Sequence, residues 1–181
     1  MTTTDSEPLV RRARDARGVV TLTLNRPQAF NALSEGVLAA LQAELDAVAA
    51  NEEARALVLA ASGKAFCAGH DLREMRAAPS REYYQGLFAR CSRVMLSLRR
   101  LPIPVIARVQ GIATAAGCQL VAACDLALAT TNARFATSRG YTGVWFTVPH
   151  CCASSANSRL RLLRNSTRNC STRSRDNSAF R

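Results

Sequence analysis

Residues 63–75 constrain the fold of this chain more than any other stretch of its sequence. They follow a short apolar run that is typical of a buried strand, contain breaks at Gly63 and Gly69, and lead into a helical pattern. A strand that turns into a helix through small residues leaves the first backbone N–H groups of the helix without partners. Such N–H groups can stabilise negative charge that develops on an oxygen atom.

A second segment has the same construction. Residues 104–111 form another apolar run that ends in Gly111, and the small residues Ala115, Ala116 and Gly117 precede a further helical pattern. Two strand-to-helix turns of this kind can supply the two N–H donors of an oxyanion hole. The sequence therefore predicts an oxyanion hole to which both turns contribute.

Strands and helices alternate along residues 19–129, which predicts an α/β fold. Ser34 is placed to cap a helix that continues to Asn51, and a second helix, with Phe88 on its inner face, covers residues 80–98. We expect strands at residues 19–24, 57–60, 105–109 and 126–129, and a short helix at residues 114–123.

Charge and composition argue against several function classes. The 181 residues carry a net charge of +11, but residues 138–181 contribute +7 through eight arginines and one acidic residue, which leaves +4 for residues 1–137. A surplus concentrated in one segment, with few aromatic side chains among the arginines, does not favour a nucleic-acid partner. No apolar run reaches the length of a membrane span. The acidic N-terminus predicts a cytoplasmic location and leaves a mitochondrial one open.

Three segments are predicted along the chain: an N-terminal arm at residues 1–17, a domain at 18–137 and an Arg/Ser-rich tail at 138–181. The tail has no sustained hydrophobic period, and Leu160–Arg164 can form one helical turn at most. Such a composition buries too little apolar surface to offset its ordering entropy, so we expect disorder. A reading-frame shift near codon 137 would also produce this tail, and translation of the other frames tests that hypothesis.

Three blocks of the sequence resemble the signature segments of the enoyl-CoA hydratase/isomerase (crotonase) family, in the family's order and at its intervals. The blocks are Leu24-Asn25-Arg26-Pro27 with Asn31-Ala32-Leu33, residues 65–75, and residues 104–125. The resemblance covers residues 19–137 and implies the family's spiral of ββα units. It also implies that this chain corresponds to the front part of a longer domain, so the fold is expected to be C-terminally incomplete.

In this family, two backbone N–H groups grip the thioester oxygen of an acyl-CoA and stabilise an enolate. By position, the resemblance assigns these donors to His70 and Ala116, with Gly117 as the neighbouring alternative. Coenzyme A is part of the implied substrate, so neither a separate cofactor nor a metal is expected. For His70 the resemblance implies only the backbone group, and its imidazole is either catalytic or structural.

The same blocks imply that coenzyme A is bound by Arg26, Ala68, Gly69, Asp71, Leu72 and Arg73. Three of these residues have simpler alternatives. Asp71 can cap the helix that follows it. Arg26 and Arg73 can be solvated surface residues rather than partners for the phosphates of coenzyme A.

Gln119 bears on the mechanism. The resemblance implies that hydratases of the family have two glutamates that handle water. The corresponding positions in this chain are Gln119 and, in a later loop, Arg139. An amide does not exchange a proton near neutral pH, and loss of a positioned acid–base group lowers a rate by about 10²–10⁴-fold. Efficient hydration is therefore not expected, and Gln119 can also serve only as a hydrogen-bonding residue of its helix.

Two other functions stay open beside an enoyl-CoA hydratase/isomerase-like activity of fatty-acid and lipid metabolism. One is a non-catalytic acyl-CoA-binding or regulatory module, which Gln119 favours. The other is an inactive truncated product, because family members continue with further helices that close the site and form trimers or hexamers. This chain is not expected to form those oligomers.

Overall fold

A computed structural model describes residues 7–77 and 79–136, together with the backbone of residues 153–154 and 160–164. In chain order, its elements are β1 (Val10–Arg14), β2 (Val19–Leu24), α1 (Glu35–Ala49), β3 (Ala56–Ala61), β4 (Ala65–Cys67), α2 (Leu72–Ala77), α3 (Arg81–Arg100), β5 (Val105–Val109), β6 (Ile112–Thr114), α4 (Ala116–Ala123), β7 (Leu126–Thr130), β8 (Arg134–Ala136), β9 (Ala153–Ser154) and β10 (Leu160–Arg164).

The strands form two sheets. The larger sheet has the order β1-β2-β3-β5-β7-β10-β9, and the smaller one has the order β4-β6-β8. Neighbouring strands are parallel from β2 through β3 and β5 to β7, and throughout the smaller sheet. Each of β3, β5 and β7 is followed directly by one strand of the smaller sheet. The chain therefore winds between the sheets in ββα steps, which confirms the predicted α/β spiral.

Helix α1 begins where the sequence predicts. The Ser34 hydroxyl accepts a hydrogen bond from the Val37 N–H at 3.1 Å, and Glu35 lies in the first turn, where a negative charge is favourable. The buried side of the helix consists of apolar residues at helical spacing. They are Val37, Leu38, Leu41, Leu45 and Val48.

Helix α3 shows one error of prediction. The sequence predicts an inward Phe88, but this side chain is 48% exposed. The buried stripe consists instead of Leu87, Cys91, Val94 and Leu98. These four follow one another at helical spacing, and Phe88 lies about 100° further around the helix, outside the stripe.

The bounds and pairing of several elements also differ from the predictions. The N-terminal arm contains β1, which pairs antiparallel with β2. Leu160–Arg164 is a strand rather than a helical turn, because β10 pairs antiparallel with β7 along five residues. The short helix begins at Ala116, since Ile112–Thr114 belongs to β6. Most of the tail, for which the sequence predicts disorder, lies outside the described residues.

The hydrophobic core lies between the larger sheet and the helices. Leu22, Leu57, Leu59, Leu41 and Leu98 have 1% exposure or less. All three residues of β4 are buried too, so the strand that leads into the first turn is fixed by the core. Among the described residues, no helix combines the length and the apolar character that a membrane crossing requires.

Candidate functional site

The first turn, residues 67–71, joins β4 to α2. Gly69 has a φ of +91°, which residues with a side chain rarely adopt. The Leu33 N–H donates to the Gly69 carbonyl at 2.8 Å, and the Asp71 N–H donates to the Leu33 carbonyl at 3.2 Å. The peptide group that joins Gly69 to His70 is planar and trans. Because its carbonyl points at Leu33, its N–H, that of His70, points away from Leu33.

The second turn, residues 114–117, joins β6 to α4. Ala115 has a φ of +49° and a ψ of −121°, a strained conformation for alanine that costs about 1–3 kcal/mol. Its carbonyl accepts hydrogen bonds from the N–H groups of Cys118 and Gln119, at 3.0 and 3.2 Å. The N–H of Ala116 lies in the same trans peptide group, so it points out of the N-terminal end of α4.

The two turns contact each other at Gly69. A Cβ atom built on Gly69 would lie 3.0 Å from the Ala115 Cβ and 3.5 Å from the Ala116 nitrogen. Thr114 also joins the turns, since its hydroxyl donates to the Ala68 carbonyl at 3.0 Å. Within the described residues, neither the His70 N–H nor the Ala116 N–H donates a backbone hydrogen bond. The fold therefore places two unpaired N–H groups at adjoining turns.

Gly117 allows α4 to approach β4 closely. A Cβ atom at this position would lie 2.2 Å from the Cys67 carbonyl oxygen, so a side chain does not fit. Gly117, the alternative donor in the sequence prediction, is buried against the β4 backbone. Ala116 precedes it at the first position of the helix and lies beside Gly69.

A polar clamp, which we define as Arg26, Asn31 and Asp71, holds the first turn. Arg26 Nη1 lies 2.5 Å from Asp71 Oδ2, in an ion pair whose side chains are 24% and 7% exposed. Asn31 is buried. Its Oδ1 accepts from the Arg26 N–H at 2.9 Å, and its Nδ2 donates to the Ala65 carbonyl at 2.8 Å. Asn31 is not among the site residues predicted from the sequence, although it belongs to the first signature block.

Asp71 is a carboxylate that caps α2 and binds Arg26. Burial acts to raise its pKa, but hydrogen bonds from Arg26 and from the N–H groups of Arg73 and Glu74 outweigh burial and hold the pKa below its usual value. Asp71 Oδ1 accepts from the Arg73 N–H at 2.9 Å. This is the helix cap that the sequence suggests as the simpler role for Asp71.

The other residues predicted to bind coenzyme A differ in exposure. Ala68 and Arg73 are exposed, and Leu72 is 61% exposed. Arg73 makes no ion pair with the residues that the structure describes. Gly69 is buried at the contact between the turns, and Arg26 is engaged with Asp71.

The His70 side chain packs against α3. Its ring meets Phe88 edge-on, with centroids 5.3 Å apart and an interplanar angle of 70°. Nδ1 is buried without a hydrogen-bond partner among the described residues. Burial lowers the pKa of His70, and the nearby Leu33 backbone offsets part of this effect. His70 is therefore neutral near pH 7.

Two further residues limit the chemistry of the site. Gln119 is half-buried in the first turn of α4. Cys67 lies at the end of β4, beside the first turn, but burial raises its pKa to about 12, so it is a thiol rather than a nucleophilic thiolate. The described residues contain no group of three or more His, Cys, Asp or Glu residues arranged to hold a metal ion.

Comparison with known proteins identifies the family of this chain. A family profile described as enoyl-CoA hydratase/isomerase matches residues 14–156, past the predicted domain end at residue 137. The chain belongs to the enoyl-CoA hydratase/isomerase family. The rat mitochondrial enoyl-CoA hydratase domain-containing protein 3 is 39% identical over 80% of this chain and 48% of that protein. The Escherichia coli 1,2-epoxyphenylacetyl-CoA isomerase is 32% identical over 75% of this chain and 52% of that protein.

Solved structures of the family share the fold. An enoyl-CoA hydratase from Mycobacterium smegmatis is 74% identical, with a TM-score of 0.71 over 71% of this chain and 50% of that one. The human enoyl coenzyme A hydratase domain-containing protein 3 is 40% identical, with a TM-score of 0.68 over 71% and 51%. The chain thus spans about half the length of the relatives that it matches.

Proposed function

We propose that this chain binds the thioester oxygen of an acyl-CoA between the backbone N–H groups of His70 and Ala116 and stabilises the enolate that forms when the α-proton leaves. The observation that carries this proposal is the pair of unpaired N–H groups at adjoining turns. Membership of the enoyl-CoA hydratase/isomerase family supports an acyl-CoA ligand.

The two donors are preorganised. The carbonyl of each donor's peptide group is already engaged, by Leu33 in the first turn and by the backbone of α4 in the second. Neither N–H therefore has to turn when charge develops on the oxygen. One such donor contributes about 2.7–4 kcal/mol to stabilising the transition state.

Exposed residues beside the first turn suit the rest of the ligand. We propose that Leu72 and Arg73 contact the pantetheine and phosphate groups of coenzyme A, because both are exposed at the start of α2. Arg26 then acts through Asp71, as a residue that holds the turn. The rat relative is named as mitochondrial, whereas a cytoplasmic location stays our proposal for this chain.

The replacement Ala116→Pro tests the hole because it deletes one donor. The ring of proline fits the first position of a helix, so the helix itself is expected to persist. We expect exchange of the α-proton of butanoyl-CoA in D₂O to fall by about 10²–10³-fold. Arg81→Pro is the matched control, since Arg81 is the first residue of α3, and this variant should exchange like the wild type.

The proline variant can misfold, because Ala115 would have to keep its positive φ before a proline. A second variant, with an ester at position 116, therefore tests the same donor. Replacement of Ala116 by lactic acid removes the N–H and retains the methyl side chain. If the ester variant has the affinity and exchange rate of the wild type, Ala116 is not a donor and the proposed hole is wrong.

A second candidate function is acyl-CoA binding without turnover. It is favoured by Gln119, whose side-chain amide stands where the resemblance implies a glutamate. We expect very weak hydration of crotonyl-CoA by the wild type and a faster rate for Gln119→Glu. Tight binding, with no gain from this replacement and no α-proton exchange, would favour the binding function.

A further inference from the structure

We propose that the His70 imidazole is the acid–base group of this site and removes the α-proton of the bound acyl-CoA. The inference rests on the proposed function, because the same residue donates its backbone N–H to the thioester oxygen. Only Cα and Cβ separate this N–H from the ring. The α-carbon is one bond from the thioester carbonyl carbon, and the proposal places the α-proton of a ligand held by the hole within reach of the ring.

The carboxylates nearest to His70 are committed elsewhere. Asp71 pairs with Arg26 and caps α2. From α2, Glu74 accepts a hydrogen bond from the Glu35 N–H at 2.9 Å. Neither carboxylate is free to accept a proton without loss of these bonds.

The titratable groups on the other elements around the ring are equally unsuited to accept the α-proton. At the start of α1, the Glu35 carboxylate binds Arg90 of α3 at 2.6 Å. The Tyr84 hydroxyl donates to the Met75 carbonyl at 3.0 Å. In β4, burial keeps Cys67 protonated, with a pKa of about 12. Among these described groups, the imidazole is the base that is not committed to an ion pair or a helix cap.

The packing of the ring distinguishes its two nitrogen atoms. Phe88 holds the imidazole edge-on, and the inner nitrogen, Nδ1, is buried. Nε2 is not among the buried atoms that lack a hydrogen-bond partner, and the proposal places it on the side of the ring that faces the ligand. A neutral ring with its proton on Nδ1 presents the Nε2 lone pair as a base.

The proposed step is a balanced proton transfer. The α C–H bond breaks, and the proton moves to Nε2 to give an imidazolium. The electron pair of that bond forms the carbon–carbon double bond of the enolate, and the negative charge moves to the thioester oxygen between the two N–H groups. Return of a proton or deuteron from Nε2 to the α-carbon completes the exchange. Neither an oxidant nor a reductant is needed.

His70→Ala separates the imidazole from the hole, because alanine keeps the backbone N–H. We expect α-proton exchange of butanoyl-CoA in D₂O to fall by about 10²–10⁴-fold, while its affinity, measured by calorimetry, stays within about threefold because the hole is retained. Added imidazole should restore part of the rate. Tyr83→Phe is the control, since it removes another buried unpartnered polar atom of this region, and it should exchange like the wild type.

The pH profile provides a readout that a structural role of His70 would not change. The wild-type rate should rise with pH and level off above the His70 pKa, which lies below its usual value because of burial. This inflection should disappear in His70→Ala. If that variant does not fold, as judged by circular dichroism, His70→Gln takes its place.

Three outcomes would overturn the inference. One is wild-type exchange in the His70 variants, and another is an unchanged inflection in their pH profile. A third is wild-type protein that binds butanoyl-CoA but does not exchange its α-proton. This third outcome would not contradict the proposed binding of the thioester oxygen. A wild type that does not bind butanoyl-CoA would overturn the proposed function as well.

Discussion

The two turns of the site hold their N–H groups in different ways. The first turn is held by three polar side chains: Arg26 and Asn31 from the loop after β2, and Asp71 from the turn itself. Among the described residues, the second turn has one side-chain hydrogen bond, from the Thr114 hydroxyl to the Ala68 carbonyl, and no ion pair. It is held by close backbone packing, with Gly117 against the Cys67 carbonyl and Ala115 at a positive φ.

The difference determines what each turn is sensitive to. Hydrogen bonds and an ion pair depend on charge, so the first turn should respond to pH and to polar replacements. A close backbone contact depends on volume, so the second turn should respond to single methyl groups. Both turns must keep their shape if the two N–H groups are to reach one oxygen.

The largest effect is expected from Gly117→Ala. The added methyl would lie 2.2 Å from the Cys67 carbonyl oxygen. Because this oxygen belongs to the β4 backbone and cannot rotate out of the way as a side chain can, α4 must move away from β4. We expect a loss of about 3 kcal/mol or more in the free energy of unfolding, together with loss of α-proton exchange. Urea denaturation measures the first effect.

Gly86→Ala is the matched control for this replacement. A Cβ on Gly86 meets only the flexible guanidinium of Arg90, at 3.8 Å or more. Because glycine weakens a helix interior, we expect a gain of about 0.5–1 kcal/mol. If both alanine variants change stability alike, close packing does not hold the second turn.

A smaller effect is expected from Asp71→Asn, which removes the charge from the clamp. Hydrogen bonds to charged groups contribute about 1.5–3 kcal/mol, and the partial exposure of Arg26 places the expected loss at the lower end of this range. Glu53→Gln is the control, because it breaks the exposed Arg14–Glu53 pair, whose contribution should be about 0–1 kcal/mol. Equal losses would show that the clamp is an ordinary surface pair.

The same carboxylate makes stability depend on pH. The pKa of Asp71 is lower in the folded chain than in the unfolded chain. Its contribution is therefore complete above the unfolded value, about 3.9, and is lost as the pH falls through the folded value. Urea melts from pH 6 to pH 2 should show a steeper loss for the wild type than for Asp71→Asn. Parallel curves would contradict this assignment.

The smallest effect is expected from Ala115→Gly. Glycine adopts a φ of +49° and a ψ of −121° without strain, but it also increases the entropy of the unfolded chain by about 0.4–1 kcal/mol. Because relief of about 1–3 kcal/mol of strain opposes this entropy effect, we expect a net stabilisation of about 1 kcal/mol in thermal or urea melts. A net loss of stability would show that the Ala115 methyl is needed in the contact with Gly69.

Local patterns in the sequence were sufficient for many elements of the fold. Ser34 caps α1 as predicted, and the predicted strand at residues 19–24 is β2. The two small-residue turns could also be predicted, because Gly69 and Gly117 allow conformations and contacts that residues with a side chain do not. These features depend on neighbours within a few residues, where intrinsic preference and hydrophobic period are informative.

Features that depend on distant partners follow from the packing of the whole chain. The pairing of β10 with β7, the exposure of Phe88, and the ion pair of Arg26 with Asp71 each need a partner that the local pattern does not identify. The proposed oxyanion hole is of this kind as well. Local sequence was sufficient to predict the two turns, whereas their contact at Gly69 follows from the packing of β4 beside β6 and α4. The physical reason is that a turn's shape is local, but the direction in which its N–H points relative to another turn is set by the core.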